Sequence, residues 1–192
     1  MHIKPVNLNV DTAQCISLSG ASGTGKSVLL RALIDLIPNS GEVSFANQRR
    51  EQMRASDWRK LVGLLPAESF WWQQHIGDHF PEITQKHIDW FKQLGFEQQV
   101  LSWEVSRCST GERQRLALLR LLCHGPKVLL LDEPTANLDQ DSAMRVEKLI
   151  HEYQTLTQCP MIWVSHDQAQ MKRVASEHYM LASNGQLQQV TE

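Results

Sequence analysis

Nearly unbroken apolar runs recur along the chain, at Cys15-Ile16-Ser17-Leu18, Leu61-Val62-Gly63-Leu64-Leu65, Val128-Leu129-Leu130-Leu131 and Met161-Ile162-Trp163-Val164. Short runs without polar alternation predict strands covered on both faces, as in a parallel sheet. Between them the apolar spacing turns helical, from Lys26 to about Leu36, from Arg113 to Leu122 and from about Asp141 to Tyr153. Strand and helix therefore alternate, which predicts an α/β fold around a central, largely parallel sheet. A smaller antiparallel part is expected beside it. Val6-Asn7-Leu8-Asn9-Val10 alternates, Asp11-Thr12-Ala13 turns, and Gln14 to Ser19 returns, the pattern of a hairpin. Glu42 to Ala46 reads as a strand after the turn Pro38-Asn39-Ser40-Gly41, and Ser56 to Lys60 as a short helical turn. Tyr179 to Ala182 and Gln186 to Gln188 flank Ser183-Asn184-Gly185 as a closing hairpin.

From Glu68 to Arg107 strand character disappears and Trp, His and Gln accumulate. Ile83, His87, Trp90, Phe91 and Leu94 are spaced for a helix face that Gly95 stops. Residues 68–107 are thus expected to be a helical subdomain inserted in one domain, 1–192. His75 and His79, four apart, have the spacing of metal ligands, but no third ligand has a place, so packing or solvent roles are favoured. Trp71-Trp72 fits core filling and an aromatic anchor for a partner equally well.

Composition narrows the location and partners. No apolar run approaches the ~20 residues of a membrane span, and Met1-His2-Ile3-Lys4-Pro5 lacks a secretory h-region. The expectation is a cytoplasmic protein without direct membrane insertion, attached to a membrane only through a partner. The four cysteines show no metal or C-x-x-C spacing and read as reduced thiols. A net charge of -2 with scattered Lys and Arg argues against nucleic acid.

The chemistry concentrates after the predicted strands. Gly20-Ala21-Ser22-Gly23-Thr24-Gly25-Lys26-Ser27 fits G-x-x-x-x-G-K-[ST], follows one apolar run and opens a helix. Its glycines allow backbone N–H groups to wrap a polyphosphate, the helix N-terminus favours the anion, Lys26 reaches the β and γ phosphates, and the Ser27 hydroxyl is placed for Mg²⁺. The strand from Val128 ends in Asp132-Glu133. Asp132 is the expected metal partner, and Glu133 the base for an attacking water. Ser109-Thr110-Gly111-Glu112 reads as a capping box whose helix N-terminus also suits a phosphate. His166 follows another buried strand, in position to contact a γ phosphate.

Taken in order, these motifs resemble the ATP-binding subunits of ABC transporters, a P-loop NTPase family, over nearly the whole chain. Gly20 to Ser27 resembles the Walker A loop and Val128 to Glu133 Walker B with its catalytic Glu. Cys108-Ser109-Thr110-Gly111-Glu112 resembles the signature that usually reads Leu-Ser-Gly-Gly-Gln. Ala136-Asn137-Leu138-Asp139 is similar to the D-loop, and His166 to the switch histidine. The Ile162 to Asp167 segment looks closest to compact bacterial subunits such as the FetA type associated with iron export. The resemblance implies ATP and Mg²⁺ as cofactors and an ATP-driven homodimer in which each nucleotide lies between the Walker loops of one copy and the signature of the other. It also implies an integral membrane permease as partner, gripped by the helical insertion, and a place at the inner face of the cell membrane. A regulatory or assembly module acting on a membrane protein without transport is the alternative.

Three departures from the pattern stand out. Cys108 and Thr110 replace Leu and Gly in the signature, and no aromatic residue precedes Phe45 to stack on adenine. In Leu64-Leu65-Pro66-Ala67-Glu68, which resembles the Q-loop, Ala67 takes the place of the glutamine. Glu68, next in line, is expected to reach the same Mg²⁺ and assume part of that role; the alternative is that Glu68 faces solvent and Ala67 marks slow, uncoupled turnover.

Overall fold

The computed structural model describes residues 3–190. Its main sheet is built from β1 (Cys15–Ser19), β4 (Val62–Leu65), β5 (Val128–Asp132), β6 (Met161–Val164), β7 (Glu177–Leu181) and β8 (Leu187–Val190), in the order β4-β5-β6-β1-β7-β8. All neighbours are parallel except β7 and β8. A two-stranded antiparallel ribbon, β2 (Ser44–Phe45) with β3 (Gln48–Arg49), stands apart. The helices are α1 (Lys26–Leu33), α2 (Ala55–Leu61), α3 (Gln85–Gln93), α4 (Thr110–Cys123), α5 (Gln140–Thr157) and α6 (Gln168–Val174).

The apolar runs are strands buried twice over. Leu129 and Leu131 of β5 and Met161 and Trp163 of β6 enter one core with α3, α4 and α5. Leu130, Ile162 and Val164 enter the other, with Leu29 and Leu30 of α1 and Trp58 of α2. Successive side chains point to opposite faces, so a strand between two helical layers must be apolar throughout.

The expected hairpin between Val6–Val10 and the first strand does not form, and residues 3–11 belong to no strand. The reason is sheet position. β1 pairs with β6 through Cys15↔Met161 to Leu18↔Val164 on one side and with β7 on the other, leaving no free edge. Leu8 and Val10 instead pack against the α1 side of the sheet.

Within residues 68–107, α3 is the one α-helix, and short 3₁₀ turns cover 76–79, 98–102 and 105–107. The α3 stop comes where expected: Gly95 has φ 83°, and the Phe96 amide donates to Phe91 O at 2.9 Å. Ile76, Trp90, Phe91, Leu94, Phe96 and Val100 share one core with Leu116, Leu129 and Tyr153, so the stretch is packed onto the sheet through α4 and α5. The two Trp readings divide. Trp71 lies against that core with the Arg120 guanidinium 4.4 Å above its ring, whereas Trp72 is 69% exposed.

Candidate nucleotide-binding site

The ends of β1, β4, β5 and β6 lie along one edge of the parallel sheet, where open α/β sheets hold ligands. After β1 the backbone enters the loop at Gly20, φ 143°, where a Cβ would lie 2.5 Å from Leu181 O. Only glycine fits that approach. Gly23 and Gly25 also have positive φ, and Gly25 caps α1 with no side chain across its N-terminus. Thr24 braces the loop through Oγ1, which donates to Ala21 O at 2.9 Å. Ala21 and Ser22 are exposed. Lys26 is buried and folds back so that Nζ donates to Gly20 O at 2.8 Å and Ala21 O at 3.2 Å. Burial pushes its pKa down, against the opposing pull of Glu133 and then Asp132. A buried cation on carbonyls that an anion can displace is poised for phosphate.

Asp132 and Glu133 meet this loop from β5, with β6 between. Asp132 is buried and, among the described residues, its carboxylate has neither a hydrogen bond nor an ion pair; the Ser27 hydroxyl is likewise unpartnered. A buried carboxylate and a free hydroxyl, both hard oxygen donors, fit Mg²⁺. Glu133 turns away from the strand at φ 51°, held by its amide donating to Val164 O at 3.1 Å. That turn brings Glu133 Oε1 within 3.2 Å of His166 Nε2, two residues far apart in the sequence. A left-handed conformation at a bulky residue is uncommon and marks a site held by its surroundings.

The signature residues stand elsewhere. Ser109 caps α4, with Ser109 Oγ accepting from the Glu112 amide at 3.2 Å and Glu112 Oε2 accepting from the Ser109 amide at 2.8 Å. These bonds hold the Glu112 pKa below the usual carboxylate range, the backbone amide of Ser109 being the largest cause. Thr110 is exposed, so its bulk meets solvent within the chain, and Cys108 is buried as the usual Leu would be. A Cβ on Gly111 would sit 3.1 Å from Leu138 Cδ2, so the signature packs on the 136–139 loop. No hydrogen bond joins residues 109–112 to 20–27 among the described residues.

Glu68 is exposed and has no hydrogen bond or ion pair among the described residues. The register Leu65↔Leu131 puts its loop at the same sheet edge as Asp132. A residue missed in the sequence ties that loop to the signature helix: Gln114, buried, donates through Nε2 to Pro66 O at 3.3 Å. Its only sequence signal is a polar residue on the buried face of α4. Arg115, next to it, donates to Ser142 Oγ, which donates to the α5 cap Asp139 at 2.8 Å.

His79 is no metal ligand. Its Nε2 accepts from the amides of Trp72, at 3.0 Å, and Gln73, at 2.9 Å. That leaves Nδ1 to carry the proton toward His75 O at 3.0 Å. Among the described residues no group of three or more His, Cys, Asp and Glu side chains could by itself hold a metal, all four cysteines are free thiols, and no helix is long and apolar enough to cross a membrane.

A family model described as "ABC transporter" matches residues 3–136. The probable iron export ATP-binding protein FetA of Escherichia coli (strain K12) is 27% identical, covering 96% of this chain and 86% of its own length. The lipoprotein-releasing system ATP-binding protein LolD of Psychrobacter arcticus is 32% identical over 84% of this chain and 79% of its own. Among solved structures, a dimeric, post-hydrolysis ATP-binding cassette bound to ADP and Pi superposes with a TM-score of 0.77 at 21% identity, covering 99% of this chain and 91% of that one. An ATP-bound bacterial Atm1-family exporter gives 0.83 at 22%, covering 98% and 35%. These structural likenesses show the fold.

Proposed function

Because this chain belongs to the ABC transporter family and is one of its ATPase subunits, we propose that two copies close head to tail on Mg²⁺-ATP and drive a membrane permease. The observation that carries the reading is the separation of two phosphate-facing surfaces in one chain. The first comprises the 20–27 loop, Asp132, Glu133 and His166. The second is the N-terminus of α4 with exposed Ser109 and Thr110, which makes no hydrogen bond to the first among the described residues. A phosphate on Lys26 is covered on one side only, and the α4 terminus of a second copy supplies the missing donors.

Lys26 binds the phosphates, and Ser27 and Asp132 hold Mg²⁺, which neutralises phosphate charge when bound. Glu133 orients and deprotonates the attacking water, with His166 on its carboxylate. Phe70, 74% exposed, and Trp72 lie just beyond the 64–68 loop and form the apolar face toward the permease. Attachment to the inner face of the cell membrane follows from that contact. Sizing of the Glu133→Gln protein with and without Mg²⁺-ATP tests the closure. A nucleotide-dependent dimer is expected, and a strict monomer at high concentration with Mg²⁺-ATP overturns the head-to-tail reading.

Glu68 supplies a further oxygen to the metal in place of the absent glutamine, since its carboxylate is free and its loop lies beside Asp132. Glu68→Ala should raise the Mg²⁺ concentration needed for half-maximal ATPase activity, and Ala67→Gln should lower it again in the double variant. An unchanged rate and metal requirement in Glu68→Ala removes Glu68 from the site.

A further inference from the structure

Gln170, on α6, is 4% exposed, and its side-chain amide is saturated. Oε1 accepts from Trp163 Nε1 at 3.2 Å and from Ser165 Oγ at 2.9 Å. Nε2 donates to Thr135 Oγ1 and to Glu147 Oε1, each at 2.8 Å. The orientation is dictated by the partners, because an indole N–H only donates and a carboxylate only accepts.

These bonds link the backbones that carry the catalytic pair. Ser165 precedes His166, and its hydroxyl also accepts from the Asp167 amide at 3.0 Å, so both neighbours of His166 are tied down. Asp167 in turn accepts from the Gln170 amide at 3.1 Å. Thr135 belongs to the turn that the Ala136 amide closes on Glu133 O at 3.0 Å. The Glu133 and His166 side chains are 34% and 51% exposed and meet at a single 3.2 Å contact, in competition with water. Their separation therefore depends on the two backbones beneath them, and Gln170 joins these through the Thr135 and Ser165 side chains, with no hydrogen bond or ion pair to the Glu133 or His166 side chain among the described residues.

We propose that Gln170 is a positioning residue for hydrolysis, holding the turn that carries Glu133 in register with the strand end that carries His166. The proposal rests on the reading of Glu133 as the base. Misplacement by about 1 Å costs up to about 100-fold in rate.

The test uses the full chain carrying Gln170→Leu, Gln170→Glu or Gln170→Glu with Glu147→Gln, and reads kcat and KM for Mg²⁺-ATP across pH together with thermal unfolding. Both single substitutions should lower kcat by about 10- to 100-fold while KM stays within about threefold, since the phosphate loop is untouched. In Gln170→Glu the new carboxylate faces Glu147 of α5, which also holds Arg173; Asp167, Glu133, His166, Lys148 and His151 line the same cavity. The loss should shrink at acidic pH, where the protonated carboxyl donates to Glu147. In the double variant the amide from Glu147→Gln donates to the new carboxylate, Thr135 turns its hydroxyl to donate, and most of kcat returns. Wild-type kcat in Gln170→Glu at alkaline pH overturns the proposal. So does a joint fall of kcat and ATP affinity that neither acid nor the second substitution reverses, which marks a purely structural glutamine. If Gln170→Leu fails to fold, the other two variants still decide. Glu133→Gln assayed alongside separates the two ideas: full turnover there removes the base, whatever Gln170 does.

Discussion

Glu133→Gln is expected to keep Mg²⁺-ATP bound and to lose turnover by about 10²- to 10⁴-fold, the usual contribution of a positioned acid–base group. The amide is isosteric with the carboxylate and can still accept from His166, so the 3.2 Å contact and the left-handed backbone at φ 51° need not change. What disappears is the capacity to take a proton. Steady-state ATPase rates and equilibrium nucleotide binding check the two halves separately. A wild-type rate would mean that another group activates the water. Loss of binding together with rate would mean that Glu133 supports the phosphate loop instead, an outcome to watch because Glu133 also acts electrostatically on Lys26.

Lys26→Ala should lose nucleotide. In the structure Nζ has two carbonyl acceptors, Gly20 O and Ala21 O, which phosphate oxygens can replace. Hydrogen bonds to charged groups contribute about 1.5–3 kcal/mol each. Two of them amount to about 3–6 kcal/mol, or roughly 10²- to 10⁴-fold in affinity. Calorimetric titration with Mg²⁺-ATP measures it, and affinity within about threefold of wild type would exclude the proposed contact. The fold itself should not suffer. Burial lowers the Lys26 pKa in the folded state, and a base so lowered costs stability at every pH below its folded pKa. Removing the amine should therefore leave the melting temperature unchanged or raise it. A marked fall would show that the loop depends on the two carbonyl bonds more than on relief from burial.

The 20–27 loop is legible as the link between β1 and α1 because its signals are local: residues 20–27 hold their own glycines, lysine and hydroxyl, and the apolar run before them and helix after them are visible in the sequence. The capping box at Ser109 and Glu112 was legible for the same reason, its two bonds spanning three residues. The strands of the parallel sheet announced themselves through double-sided burial, which removes polar alternation.

The alternating Val6–Val10 misled because alternation reports one buried face and says nothing about a free edge; β1 had none left to offer. His79 and Gln170 show the same limit for side chains. His79 has the i, i+4 spacing of a ligand, yet loop amides of Trp72 and Gln73 occupy its ring nitrogen. Gln170 looks like any polar helix residue until Trp163, Ser165, Thr135 and Glu147 converge on it. Sequence alone determined the strands of the parallel sheet, the helices that alternate with them, the family motifs and the residues that carry charge and hydroxyls to the strand ends, since each depends on neighbours within a turn or two. Tertiary structure decided which strand ends meet, which polar groups are already satisfied, and that Glu133 faces His166. Parallel strands are joined by long crossovers, so their pairing and every contact built across it are set by burial on both faces of the sheet and not by distance along the chain.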